Sequence, residues 1–171
     1  MGREIRRVPP HWNHPGEGLG RPQPMYDKDY QTAGEEWVEE FIKWHVKKEY
    51  PCYAKESSKR LFYWDWESPP PQKELYRPWK NSEATWFQLW ETVTEGTPVS
   101  PPFETLEELA QYLAANGDTW DQHYGKGGWG IERARAFCAD GWCPTGAIID
   151  GKYHEGTSIA AVLNKDEKKG A

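Results

Sequence analysis

The sequence predicts an α+β fold: a single compact, aromatic-rich domain with about three helices, a small antiparallel sheet and long Pro/Gly-rich loops. Three patterns point to it. Apolar residues recur at three- and four-residue steps over 29–49 and again over 105–116, residues 85–95 are rich in β-branched and aromatic side chains, and Asp150-Gly151 stands between two short runs like a hairpin turn. The 171 residues suit one domain. Its aliphatic residues are sparse, but eleven Trp, nine Tyr and five Phe supply the missing apolar area, each burying about 150–250 Å² when internal.

Residues 1–26 read as an extended arm, because prolines at 9, 10, 15, 22 and 24 forbid a helix, although a strand fits over 3–8. The domain proper is expected over 27–164, with 165–171 as a polar, frayed tail.

From Asp29 to Glu49 the residues Tyr30, Ala33, Trp37, Phe41, Trp44 and Lys48 fall on one helix face, with Val38 and Ile42 widening it. Thr32 and Glu35 have capping-box spacing, Glu39 and Lys43 form an i,i+4 pair, and Tyr50-Pro51 is the stop. Leu61–Trp66 alternates like a short strand, with Phe62, Trp64 and Trp66 on one side. In 85–95, Phe87, Leu89 and Val93 share one face and Trp86, Trp90 and Thr92 the other, so this strand is expected to be partly buried on both sides. Thr105 and Glu108 open a helix whose stripe is Leu106, Leu109, Ala110, Leu113 and Ala114, and Asn116-Gly117 ends it. A shorter helix is expected over Ile131–Ala139, stopping at Asp140-Gly141, and a hairpin joins 147–149 to 152–154.

The formal charge of −6, with both signs spread along the chain, argues against general nucleic-acid binding. No run is long and apolar enough to span a membrane, the opening lacks a secretory apolar stretch, and Gly2 lacks the hydroxyl residue of a myristoylation signal. Three cysteines, Cys52, Cys138 and Cys143, are an odd count without zinc-site spacing. They read as free thiols, and no metal site or cofactor is expected.

Gly125-Lys126-Gly127-Gly128-Trp129-Gly130 fits G-x-G-x-x-G and leads into a helix whose first amides, with Lys126, Arg133 and Arg135, suit a phosphate. It lacks the preceding strand of a dinucleotide fingerprint, so a flexible glycine loop is the plainer reading. No sequence pattern assembles nucleophile, base and oxyanion donors, and Ser100 and Cys52 are isolated candidates, so an enzyme is disfavoured.

The tryptophans divide by context. Trp37, Trp44 and Trp90 are expected in the core, whereas Trp12, Trp79, Trp120 and Trp129 stand on loops beside Arg, His, Gly or Pro and are expected to be half exposed. Trp12, Arg77, Trp79, Lys126 and Trp129 are therefore the candidate ligand contacts, through stacking and charge-assisted hydrogen bonds to a flat anion. On this division Trp37→Ala costs about 3–5 kcal/mol and Trp129→Ala nearly nothing.

The strings Arg3-Glu-Ile-Arg-Arg-Val-Pro9-x-x-Trp12-x-His14-Pro15, Tyr76-x-Arg-Pro78 and Trp90-Glu-Thr-Val-Thr-Glu-Gly-Thr-Pro-Val-Ser-Pro101 resemble a family of small proteins encoded by tailed bacteriophages. The likeness extends through the helix at 105–116 and Ala136-Phe137 to Gly141-Trp142, with Asp118–Gly130 as a departure. It implies no catalytic residue. It implies a protein of the host cytoplasm that counters a bacterial defence by binding, either sequestering a nucleotide-like signal or occluding a defence protein. A virion structural or assembly protein and a nucleotide-acting enzyme are the alternatives, and homo-oligomerisation stays open.

Overall fold

The computed structural model describes residues 2–16, 18, 21–93, 96–149 and 151–159, so the tail at 165–171 lies outside the described residues. The fold is α+β, with three helices of ten residues or more and antiparallel strands. The chain forms two compact units, Met1–Pro24 with Trp79–Ala171, and Met25–Pro78.

The larger unit is built on a four-stranded antiparallel sheet. β1 (Arg3–Val8), β2 (Trp86–Glu91), β3 (Thr97–Pro98) and β4 (Trp142–Cys143) lie in the order β3-β2-β1-β4. Residues 3–8 of the Pro-rich arm thus form an inner strand, pairing Ile5 with Leu89 and Arg6 with Gln88. At its start both edges are used, because β4 pairs on the far side through Arg3 and Glu4 and the Ile5 N–H donates to the Gly141 carbonyl at 2.8 Å.

Alternation gives this sheet two unlike faces. Ile5, Phe87 and Leu89 meet α3 (Leu106–Asn116) and α5 (Ile131–Asp140), whose Leu109, Leu113, Ala134 and Phe137 complete the main core with Trp129. On the opposite face the segment after β1 folds back, with His11 packing on Trp86 at 4.4 Å and His14 on Trp90 at 5.0 Å. Arg6 lies over the Trp90 ring at 4.5 Å, and Trp12 packs edge-on against Trp79 at 4.5 Å. Trp90 is fully buried, and β2 is covered on both faces, as its pattern predicts.

The helix ends follow their sequence signals. Thr105 and Glu108 form the reciprocal box on α3, at 3.1 and 3.0 Å. α5 ends where Gly141 takes the left-handed conformation at φ 73° and returns its N–H to Phe137. A hairpin of β5 (Gly146–Ile149) and β6 (Lys152–Glu155) follows in the expected register. α4 (Thr119–His123) is a short helix that the sequence reading did not find.

The smaller unit centres on α1 (Tyr30–Ile42), which passes into a π-helical turn over Lys43–Lys47. Its start differs from the expected Thr32/Glu35 box. Asp29 is the cap, accepting from the Thr32 N–H at 2.9 Å, so the helix begins before Thr32 and leaves that residue inside its first turn. The expected Glu39–Lys43 pair forms at 3.1 Å.

Leu61–Trp66 is not a strand. Tyr63–Trp66 forms one helical turn, α2, and the flanking backbone groups are taken by side chains of α1 and its π turn. Trp44 donates to the Leu61 carbonyl at 3.0 Å, Trp37 donates to the Glu67 carbonyl at 3.0 Å, and His45 accepts from the Tyr63 N–H at 3.1 Å. A strand needs a neighbouring strand for these groups, and here aromatic side chains replace it. Rings then pack in depth, with Phe62 stacked on Trp64 at 4.7 Å and Trp44 tilted against Trp66 at 5.3 Å.

Burial also redistributes the tryptophans. Trp79 and Trp129 are 6% and 8% exposed rather than half exposed, because Trp79 is covered by Trp12 and Trp129 joins the core between α3 and α5. Trp37 is only half-buried, and Val38 and Ile42 are exposed. Trp129→Ala should therefore lower stability by about 3–5 kcal/mol as a core truncation, and Trp37→Ala by about 1–2 kcal/mol, both read by urea unfolding.

His14 couples the folded-back segment to pH. Its Nε2 donates to the Gln23 carbonyl at 2.7 Å while Nδ1 accepts from Trp12 at 3.3 Å, which fixes a neutral imidazole. Burial pushes its pKa below the usual 6.5, the Gln23 carbonyl opposes that, and the nearby Arg6 charge adds to it. The unfolded chain then binds a proton that the folded chain refuses, so this contribution is complete above about pH 6.5 and is lost as pH falls through the folded value. Melting temperature should drop on acidification below pH 6.5, and His14→Phe should flatten that part of the profile.

Candidate ligand-binding cleft

In the larger unit, Asp118 organises a cleft of about 280 Å³ beside the core, lined by Arg3, Trp120, Tyr124, Lys126, Trp129, Arg133, Tyr153 and Glu155 among others. Asp118 precedes α4 as its cap: Oδ1 accepts from the N–H groups of Trp120 and Asp121 at 2.8 and 2.9 Å. Its Oδ2 accepts from Arg3 Nε at 2.7 Å, an ion pair with side chains only 7% and 4% exposed. One carboxylate thus joins the start of β1 to the start of α4.

The indoles are aimed by their N–H groups. Trp120 donates to Glu91 at 3.0 Å, and Glu91 also accepts from the Thr97 hydroxyl at 2.5 Å. Trp129 donates to Asp121 at 2.6 Å while its ring meets Phe137 edge-on at 5.5 Å. Tyr124 stacks beside Trp120 at 6.3 Å, which extends a flat aromatic wall.

Three cations and three carboxylates line the cleft, so its charge balances. Arg3 is held by Asp118, and Arg133 lies over the Trp129 ring at 5.2 Å and reaches Glu155 at 3.0 Å and the Thr157 hydroxyl. The Arg133 Nε is buried without a hydrogen-bond partner. Lys126 differs. Its ammonium stands 3.6 Å from both Asp121 and Glu155, beyond hydrogen-bonding range, and its side chain is 56% exposed.

The glycine loop is a packing device. The N–H groups of Gly125, Lys126, Trp129 and Gly130 donate to the carbonyls of Gln122, Asp121, Leu113 and Ala114 at 2.9–3.2 Å, which removes four of the six amides from any phosphate. Gly128 lies so close to the end of α3 that a Cβ there would meet the Ala114 oxygen at 2.1 Å. Arg135 is also engaged elsewhere, in a bidentate pair with Glu107 at 3.0 and 2.6 Å.

Of the residues picked out from the sequence, Lys126 and Trp129 meet in this cleft. Trp12 and Trp79 pack against each other and do not line it, and Arg77 belongs to the other unit. Trp120, expected on a loop, and Arg133, expected beside the glycine loop, line the cleft too, whereas Asp118, Tyr124, Tyr153 and Glu155 carry no such signal in the sequence. Asp118-x-x-Asp121 has capping-box spacing and was the available signal for α4.

Other isolated candidates have structural roles. Ser100 is buried, its Oγ accepting from the Leu89 N–H at 3.0 Å and donating to the Pro101 carbonyl at 2.8 Å. Cys138 and Cys143 are buried free thiols, and burial pushes Cys138 up to about 11, with the Glu107 charge adding to it. Cys52 is free and exposed. Among the described residues no group of three His, Cys, Asp or Glu side chains gathers to hold a metal, and no helix is long and apolar enough to cross a membrane.

No family model matches the chain, and no curated protein or solved structure matches it.

Asp118→Ala leaves Arg3 charged in a buried place and removes the cap of α4. It should destabilise the protein by about 3–5 kcal/mol, measured by urea unfolding, and a loss below about 1 kcal/mol would contradict the role given to this carboxylate.

Proposed function

We propose that this protein binds a small, flat, singly or doubly charged anionic ligand in the cleft, and that it acts by holding that ligand without turnover. The observation that carries the reading is Lys126, an ammonium with no hydrogen-bond partner among the described residues, beside an aromatic wall and next to an arginine whose Nε is buried and unpartnered.

The walls suit a ring system, because Trp120, Tyr124 and Tyr153 offer aromatic faces and edges for stacking. The ligand's acid group would be met by Lys126, with Arg133 beside it. Size sets the scale: about 280 Å³ lies at the lower end of the roughly 300–1,000 Å³ of small-molecule sites. The balanced charge of the lining and the net charge of −6 disfavour a polyanion, which needs an uncompensated row of cations. A mononucleotide or cyclic nucleotide fits these limits.

The phage resemblance sets the biological reading. A phage protein that removes a nucleotide-like signal from the host cytoplasm would silence a defence that depends on that signal.

Two measurements test it. Protein purified from infected cells and denatured should release a nucleotide-like metabolite detectable by mass spectrometry, and titration with cyclic nucleotides and ADP-ribose derivatives should give heat. Lys126→Ala should weaken binding about tenfold or more with an unchanged melting temperature, since one charge-assisted hydrogen bond is worth about 1.5–3 kcal/mol. Absence of both released metabolite and heat removes the reading, and consumption of the ligand on incubation replaces binding with catalysis.

A further inference from the structure

Helix α1 carries more apolar surface than its unit covers. Ala33 is buried, as is Trp44 in the π turn that follows, and Trp37 and Phe41 are half-buried, whereas Tyr30, Val38 and Ile42 are 40%, 50% and 42% exposed. With Gly34 these three form one i, i+4 ridge along the outer side of the helix, over a shallow groove of about 660 Å³. Three large apolar side chains in a row along one exposed ridge form a patch, and contiguous patches mark interaction sites.

Gly34 is the second observation. A glycine inside a helix weakens it, and nothing lies within 4 Å of the position its Cβ would occupy. Packing within the unit therefore does not require it. Its effect is a gap in the ridge of side chains between Tyr30 and Val38.

The edge of the groove gives the charge of the occupant. Gln31, Glu35 and Glu39 line it, and among the described residues Glu35 is engaged only by the neutral Gln31 amide, at 2.8 Å. Lys43 is shared between Glu39 at 3.1 Å and Glu40 at 2.5 Å, so one cation serves two carboxylates. The edge is acidic.

We infer that the outer face of α1 docks a helical segment of a partner protein, with a large apolar residue seated over Gly34 and Lys or Arg residues four apart facing Glu35 and Glu39. A second copy of this chain fits poorly. Packed antiparallel about a two-fold axis, it would set Glu35 and Glu39 against their own kind. Packed parallel, it would set them against the Trp37–Phe41 edge, which already packs on Tyr63 at 5.3 and 6.4 Å. This surface is independent of the cleft reading.

The test uses two synthetic amphipathic helices with the same leucine stripe, one edged with lysine and one with glutamate. The lysine-edged peptide should bind the full-length protein about tenfold or more tightly at low salt, and the gap should close as salt rises. Gly34→Leu should abolish that binding while the melting temperature holds or rises, which separates a filled gap from a misfolded helix. Replacing Glu35 and Glu39 together by Lys should reverse the peptide preference. Equal or absent binding of the two peptides overturns the inference, as does a sedimenting dimer of the protein that Val38→Glu dissociates.

Discussion

A carboxylate with 4% of its side chain exposed must find a partner for every charge and lone pair it brings inside, and Asp118 finds them in three places. It receives the Arg3 guanidinium from the first strand and two N–H groups from the first turn of α4. Removing the carboxylate takes an ion-pair partner from a buried guanidinium and the cap from α4 at once, so one side chain ties β1 to α4. Trp120 and Asp121 follow from α4, and Asp121 in turn takes the indole N–H of Trp129. The cleft is an outcome of this chain of contacts: its floor is set by a buried ion pair, and its wall by the short helix that the pair caps.

The same economy explains the glycine loop. Residues 125–130 carry a spelling associated with phosphate binding, yet their amides close the ends of α4 and α3. Gly128 is required by the backbone of α3, not by a ligand. What the loop contributes to the cleft is position, delivering Trp129 into the core and Lys126 to the rim. The cation left at the rim therefore belongs to a side chain and not to the backbone of the loop.

The aromatic residues do two kinds of work. Some fill volume, as Trp90 does between Arg6 and His14. Others act through a single polar atom. The indoles of Trp37 and Trp44 and the imidazole of His45 take the backbone groups of 61–67 and so determine that this stretch turns as a helix. This is why an alternating pattern failed as a strand signal there: a strand is a property of two segments, and the second was absent.

Much of the larger unit was legible in the sequence. The α+β class, the box at Thr105 and Glu108, the glycine stop at 141, the strand at 86–91 and the register of the hairpin all depend on neighbours a few residues apart, so composition and spacing were enough. Lys126 and Trp129 were marked for their chemistry and do meet. The pairing of Arg3 with Asp118 spans 115 positions, and no local pattern records it. The burial of Trp79 and Trp129 depends equally on distant elements, as does the exposure of Val38 and Ile42, because a helical period says how wide an apolar face is and not how much of it a fold will cover. The sequence by itself determined most elements of the larger unit, the cap of α3, the stop of α5 and the supply of aromatic and charged groups. Only the tertiary structure decided which of those groups are spent on each other inside the protein and which are left facing outward, since that choice is made by contacts between residues far apart in the chain.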